Sequence, residues 1–270
     1  MMPPPLTVAA AVRPWRHPLA WLRADLETLH HELVDRDRRR LDYRPIVVFI
    51  VVAVSLTLQE YYGGRRDAQA LVDVLPRTLR GQDYWELRTY AWWAGWRVLG
   101  FLVIPTVTVL LMPGERLRDY GWSLAGLIKH LPLYLGMYLA VLPLVIWVSS
   151  RADFQHTYPF YRLANRSSFD FWVWEAMYVA QFFSLEFFFR GFMLHACKST
   201  MGIYAIFPMI VPYCMIHFHK PILEVLGAIF AGIILGLVAL RTRSIWGGII
   251  VHVGVALTMD LLAVRHLPPP

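Results

Sequence analysis

The sequence has little cysteine: Cys197 and Cys214 are the two cysteines among its 270 residues. Both lie in or beside apolar segments and do not form the paired framework of a disulfide-rich protein. We therefore expect no structural disulfide. Residues 1–44 are rich in proline and charge, and no secretory signal is evident in them, so we expect the first apolar run to remain as a membrane anchor.

Charged residues are scarce too. Asp, Glu, Lys and Arg make up 17% of the chain and hydrophobic residues 57%, a balance too apolar for a single soluble domain. The sequence also lacks the recurrent alternating strands and turns of a membrane barrel, so helices are the remaining way to cross a bilayer. The predicted fold is all-α, a polytopic bundle of transmembrane helices.

Seven apolar segments approach the length that spans a bilayer, about 20 residues at a rise of about 1.5 Å per residue. The sixth contains Ala228, Gly232 and Gly236 at every fourth position, which predicts a helix that a neighbouring helix approaches closely. The predicted spans are 45–62, 91–112, 131–149, 169–195, 201–218, 222–240 and 245–264.

The net charge of +7 reflects membrane topology rather than a nucleic-acid partner, because the basic residues flank apolar spans. One basic cluster, within 36–44, precedes the first span, and Arg241 and Arg243 follow the sixth. With seven spans both clusters fall on the cytoplasmic side, although the 63–90 loop places further arginines on the other side. We expect an integral protein of a bacterial-type cell membrane with its N-terminus in the cytoplasm and its C-terminus outside.

A regular leucine pattern precedes the first span and predicts an amphipathic helix in the cytoplasmic segment. Two interpretations are open: the helix lies on the membrane surface, as basic amphipathic anchors do, or it forms a seam for a partner. The leucines, spaced alternately three and four residues apart, are Leu19, Leu22, Leu26, Leu29 and Leu33.

Titratable side chains concentrate in the fourth, fifth and seventh spans. A charge at the bilayer centre costs at least about 2.5 kcal/mol, so such groups usually face the bundle interior and often mark function. Glu186 and Arg190 are one helical turn apart and are predicted to pair. His217 and His252 lie on spans that flank the small-residue helix, which predicts a shared polar cavity. The polar set is Glu175, Gln181, Glu186, Arg190, His217, His219, His252 and Asp260.

Such a cavity suits two classes of protein. A carboxylate can take a proton from water while imidazoles stabilise the developing oxyanion, which is hydrolytic chemistry. The same residues also suit a proton relay or ion path in a transporter. Composition and spacing leave both classes open.

The segment Leu185 to Phe192 resembles the first motif, Glu-Glu-x-x-x-Arg, of the CAAX prenyl protease and bacteriocin-processing family, also called CPBP or Abi. Tyr213 to His217 resembles its second motif, an aromatic residue followed by a histidine four positions later. His252 resembles the histidine of its later His-x-x-x-Asn motif. The resemblance covers about 165–265, with a weaker echo in 118–122.

This resemblance implies an intramembrane endopeptidase whose substrate is a membrane protein or a lipidated peptide. It implies that Glu186 orients or activates water, that Arg190 holds Glu186, and that His217 and His252 stabilise the oxyanion. The chain then divides into a cytoplasmic amphipathic and basic segment (1–44), N-terminal membrane helices and loops (45–164), and a catalytic-type membrane core (165–265).

Two positions depart from the family pattern. The first Glu of the motif is Leu185 here, and the Asn after His252 is Ala256. Asp260, one turn beyond Ala256, is a candidate for the missing polar group, whereas Glu175 lies about three turns before Glu186, too far to replace the missing Glu without bending. These departures leave an alternative open: a catalytically inactive relative that acts as a membrane scaffold or immunity protein.

The requirement for a metal is also open at this stage. Glu186, His217 and His252 form a His₂Glu set of the kind that binds catalytic zinc, but the sequence has no His-Glu-x-x-His helix. A metal-free Glu and His site fits the same residues, so zinc is a candidate cofactor that the sequence does not require.

Overall fold

The computed structural model describes residues 20–34, 42–64, 67 and 84–268, and these residues contain helices and connecting turns but no strand. The all-α prediction is therefore confirmed. Most of the basic cluster before the first span and most of the 63–90 loop lie outside the described residues, so the arginine balance used for orientation stays a prediction.

The described part of the chain is a succession of α-helices, some of which continue directly into one another. Two π-helical segments, Leu99–Val103 and Phe187–Leu194, each join two consecutive α-helices without a break. In chain order, the α-helices are α1 (Ala20–Leu33), α2 (Arg44–Tyr62), α3 (Trp85–Val98), α4 (Ile104–Leu111), α5 (Leu127–Ser149), α6 (Ala152–Thr157), α7 (Ser168–Glu186), α8 (His195–Met201), α9 (Ile206–Met215), α10 (Ile222–Thr242) and α11 (Trp246–Val264).

Within the described residues, six helical runs are long and apolar enough to cross a membrane. Five match predicted spans, with the second beginning earlier, at Glu86, and the third at Leu127. The remaining run, Ser168–Met215, has 48 residues and covers the fourth predicted span and most of the fifth. At about 1.5 Å per residue a straight helix of that length would far exceed the bilayer, so the run must fold back.

The fold-back lies at Gly202, where the backbone leaves the helical region with φ +56° and ψ −134°. Glycine adopts this conformation without the steric penalty of a side chain. A short 3₁₀ segment, Gly202–Ala205, follows, and α9 begins at Ile206 and ends at Met215. The fifth predicted span, 201–218, is therefore too long at both ends, and His217 lies in the turn after α9 rather than inside a helix.

The small residues of α10 allow α9 to approach closely. A Cβ atom at Gly232 would lie 3.1 Å from Ile210 Cγ1, and one at Gly236 would lie 3.3 Å from Met209 Cε. On the other side of the core, the backbone N–H of Ile245 donates to the carbonyl of Gly121 at 3.0 Å. This contact joins the loop before α5 to the turn before α11.

Helix α1 packs against the rest of the chain. The ring of His30 lies 5.2 Å from the ring of Tyr204, and Asp25 pairs with Arg241 in the last turn of α10. Trp21 stays largely exposed. One face of the amphipathic helix thus contacts the membrane core itself, which the leucine spacing alone did not indicate.

Candidate active site

The centre of the bundle contains a buried ion pair between neighbouring helical turns. Glu186 ends α7, and Arg190 lies in the π-helical segment that follows. Arg190 Nη1 lies 3.1 Å from Glu186 Oε1, and both side chains are fully buried. Burial of both charges is tolerable because each offsets the other, whereas removal of one leaves the other unpaired. The predicted pair is present.

His252 on α11 joins this pair from a distant part of the sequence. Its Nδ1 lies 2.7 Å from Glu186 Oε1, and because a carboxylate accepts, the ring N–H donates. One turn earlier, a Cβ atom at Gly248 would overlap Glu186 Oε2. The missing side chain at Gly248 therefore makes room for the carboxylate. Sequence reasoning overlooked Gly248, although its position four residues before His252 places it on the same helical face.

Tyr213 connects His217 to the ion pair. The guanidinium carbon of Arg190 lies 4.0 Å from the centre of the Tyr213 ring, within cation–π range. The Tyr213 ring lies 4.9 Å from the ring of His217 and 6.4 Å from that of His252. His217 Nδ1 donates to the backbone carbonyl of Tyr213 at 2.7 Å. The structure thus brings Glu186, Arg190 and His252 into direct contact, and places His217 next to them across one aromatic ring.

A cavity of about 700 Å³ lies beside this group, between α2, α3, α7 and the turn after α9. Its wall includes Leu185, Gln181 and His217. Leu185 occupies the position of the first Glu of the family motif, so an apolar side chain faces the cavity there. Glu186, one residue later, points to Arg190 and His252 instead.

Besides Arg190, the membrane-spanning helices carry another cation, Arg97 on α3. Arg97 lines this cavity. Sequence reasoning missed it, although it interrupts an apolar run at 91–112. Its Nη1 donates to Gln59 Oε1 at 3.0 Å, and the Gln59 Nε2 group donates to Ser55 Oγ at 3.1 Å. The Ser55 hydroxyl donates to the carbonyl of Gly100 at 2.7 Å, so a chain of hydrogen bonds holds Arg97 in place.

Asp260 and Glu175 lie apart from the Glu186 group in the described contacts. Asp260 is fully buried, and its Oδ2 accepts from Trp174 Nε1 at 2.5 Å. Glu175 is also buried, and neither of its carboxylate oxygens has a hydrogen-bond partner among the described residues. Neither contact places Asp260 or Glu175 beside His252 or Glu186, so the structure does not support the idea that Asp260 replaces the missing Asn.

The residues do not assemble the His₂Glu zinc set considered from the sequence. Across the described ranges, no group of three or more His, Cys, Asp or Glu side chains is arranged to hold a metal ion. Glu186 Oε1 already faces Arg190, a cation that opposes metal binding at the same oxygen, and receives the ring N–H of His252. Glu186 Oε1 is therefore engaged by Arg190 and His252 rather than free to bind a metal ion.

Comparison with known proteins yields one family. Residues 167–258 match the family model described as type II CAAX prenyl endopeptidase Rce1-like. No curated protein and no solved structure matches the chain. The matched range contains the Glu186–Arg190 turn, the Tyr213–His217 segment and His252. The resemblance inferred from these motifs is thus confirmed over residues 167–258, which are similar to the type II CAAX prenyl endopeptidase Rce1-like family.

Proposed function

We propose that the chain is an intramembrane endopeptidase that hydrolyses a peptide bond of a membrane protein or a lipidated peptide. The observation that supports this best is the hydrogen bond from His252 Nδ1 to Glu186 Oε1, 2.7 Å long, in a fully buried carboxylate environment. A carboxylate in this position fixes the tautomer and the orientation of the imidazole, as in serine hydrolases. Family similarity over 167–258 supports the same reaction class.

His217 is the group best placed to activate water. Its Nδ1–H donates to the carbonyl of Tyr213, so in the neutral ring Nε2 carries the lone pair. His217 also lines the cavity, as does Leu185, at the position where the family motif has its first Glu. We therefore assign the role of general base to His217 rather than to Glu186, which is enclosed by Arg190 and His252.

These residues account for each proton transfer in the proposed hydrolysis. His217 Nε2 takes a proton from water as the oxygen attacks the peptide carbonyl, and protonated His252 donates its Nε2–H to the oxyanion. The proton on His217 passes to the leaving amine as the C–N bond breaks. Glu186 holds the His252 ring in orientation, and Arg190 holds Glu186 in position.

Reporter cleavage in reconstituted membranes tests this assignment. Loss of a general base typically lowers turnover by about 10² to 10⁴-fold, so His217→Ala should lose most cleavage. His219→Ala is the control, because His219 lines the same cavity two residues away and takes no part in the proposed reaction. Equal cleavage by His217→Ala and wild type would overturn the assignment.

One observation favours a second candidate, a non-catalytic relative that binds such a substrate without cutting it. Leu185 places an apolar side chain on the cavity wall where the family motif has a carboxylate. Leu185→Glu would restore that carboxylate and should retain or raise cleavage if the chain is an enzyme, at the cost of added desolvation. No cleavage by wild type together with clear cleavage by Leu185→Glu would identify the non-catalytic relative.

A further inference from the structure

Arg97 lies near the middle of the apolar run Glu86–Leu111, where a membrane-spanning helix is farthest from both interfaces. A cation at that depth is costly, and it normally faces a cavity or a partner rather than lipid. Arg97 does face the cavity that His217 lines. A ligand in this cavity can therefore contact both the Arg97 guanidinium and the proposed base.

The protein holds the Arg97 guanidinium without neutralising its charge. Among the described residues its hydrogen bond goes to the neutral amide of Gln59, and no carboxylate lies within the 4.0 Å of an ion pair. The rings of Trp93 and Phe101 lie 5.8 and 5.7 Å from the guanidinium carbon. An arginine has five N–H donors in a planar fork, so donors remain for a ligand.

The other charged side chains of the cavity do not take this role. Lys220 is paired with Glu224, with Nζ 2.7 Å from Oε1. Glu60 lies on the wall near the end of α2, exposed and outside ion-pair distance of Arg97. The negative charge of Glu60 lowers the affinity of the cavity for an anion, but Glu60 does not form an ion pair with the Arg97 guanidinium.

We propose that Arg97 is a carboxylate-binding subsite of the substrate cavity, which recognises a carboxylate of a membrane-associated peptide. A guanidinium fork binds a carboxylate through two parallel hydrogen bonds, and the aromatic walls and low polarity around it strengthen them. A phospholipid headgroup suits the site less well, because headgroups lie at the membrane interface whereas Arg97 lies near the middle of its span. The inference rests on the proposed function, since it places the peptide in the cavity that contains His217.

Peptide binding in detergent or nanodiscs tests the subsite without any need for cleavage. The probes are fluorescent apolar peptides with a free C-terminus, with a C-terminal amide, and with an amide plus one Glu side chain. Wild type should bind the free acid about 10-fold or more tightly than the amide, as expected for a charge-assisted bidentate contact. Tight binding of the Glu-containing amide would identify a side chain as the source of the carboxylate, and weak binding of it would identify the C-terminus.

Three variants complete the design. Arg97→Gln should reduce the acid-to-amide ratio to about 1, whereas Lys220→Gln, the other cation on the wall, should leave the ratio unchanged. Glu60→Gln should raise it, because a nearby negative charge is removed. If Arg97→Gln does not fold, Arg97→Lys serves instead and should reduce the ratio several-fold, because an ammonium cannot form the bidentate contact.

Peptide binding and reporter cleavage are measured independently, so the Arg97 subsite and the proposed peptidase activity can fail separately. Discrimination between acid and amide that depends on Arg97 supports the subsite even if no variant cleaves a reporter, in which case the proposed peptidase activity fails alone. A ratio near 1 in wild type, or a ratio that survives Arg97→Gln or Arg97→Lys unchanged, overturns the subsite whatever the cleavage assay shows.

Discussion

Single side chains inside this bundle are arranged so that most buried charges meet a specific partner. Glu186 faces Arg190 and His252, and Asp260 faces Trp174. Some polar atoms still lack a hydrogen bond among the described residues, including Glu186 Oε2 and the guanidinium nitrogens of Arg190. Such atoms carry a large desolvation cost, so substitutions at this pair should be felt strongly.

The two members of the pair should differ in their contribution to stability. Arg190→Ala leaves a buried carboxylate without its cation and also removes the contact with the Tyr213 ring, a loss on the order of 3–5 kcal/mol. Glu186→Gln keeps the side-chain shape and a hydrogen bond to His252, so its cost should be smaller. Unfolding of both variants in detergent provides the measurement, and equal loss of stability would contradict the prediction.

Gly248 should be among the most sensitive glycines of the membrane core. Gly248→Ala would push a Cβ atom into the Glu186 carboxylate, so we expect a loss of about 1–3 kcal/mol and lower activity. Gly227→Ala is the control, because a Cβ atom there meets nothing within 4 Å in a helix interior, where alanine is tolerated or slightly stabilising. Similar unfolding temperatures for the two variants would show that the carboxylate does not lie against α11 at Gly248.

Secondary-structure elements position the site through their irregularities. The π-helical segment Phe187–Leu194 carries Arg190, and the rings of Phe188 and Phe101 from the two π-helical segments lie 4.9 Å apart. Segments of this kind are frequent at functional sites because they change the direction in which side chains point. The turn at Gly202 then returns the chain to the bundle, so that Tyr213 can contact Arg190.

Outside the spans, Asp42 connects the start of α2 to the end of α8. Its carboxylate accepts from Arg44 Nε at 2.9 Å and from the Thr200 hydroxyl at 2.8 Å. Burial alone would raise the pKa of Asp42, but the hydrogen bonds from Arg44 and Thr200 outweigh burial and lower the pKa below its usual value. The ionised form is therefore the one that the folded state stabilises.

This contact should make stability depend on pH in the acid range. An unfolded Asp binds a proton near pH 3.9, before the folded one does, so the contribution of Asp42 is complete above about pH 4 and decreases as pH falls further. Asp42→Asn should be less stable than wild type at neutral pH, and the difference should shrink below about pH 4. Thermal unfolding of both proteins from pH 7 to pH 3 measures this, and a constant difference across the range would argue against it.

At the scale of the whole molecule, the site exists because three distant parts of the chain meet. Glu186 and Arg190 come from the long helical run, His217 from the turn after α9, and His252 from α11. The fold-back at Gly202 makes two antiparallel elements out of the run Ser168–Met215. Counted in this way, the bundle agrees with about seven predicted spans, and the location of its two ends on opposite sides of the membrane stays a prediction.

That topology is directly measurable. A cysteine introduced at Thr7 should be protected from an impermeant maleimide in intact cells, whereas one introduced at Leu267, near the C-terminus, should be labelled from outside. Replacement of Cys197 and Cys214 by serine or alanine removes the background, since Cys214 is only partly buried. Labelling of both positions from the same side would show that the number of spans is even.

The apolar segments, the helical fold and the Glu186–Arg190 turn could be predicted from the sequence because each depends on residues close together in the chain. The length of an apolar run decides whether it spans a bilayer, and a spacing of four decides whether two side chains share a helical face. The family motifs also lie in short segments. These local signals were enough to select Glu186, Arg190, His217 and His252 before any contact among them was known.

The tertiary structure alone decided which contacts those residues make across the bundle. The pairing of His252 with Glu186 spans 66 residues, the room that Gly248 leaves depends on how α11 packs, and the access of Arg97 to the cavity depends on α2 and α9. No local pattern encodes such contacts, because they arise when helices pack and buried polar groups find partners across the bundle. Leu185 and Glu186 are adjacent in sequence, yet helix rotation and packing place the first on the cavity wall and the second in the buried ion pair.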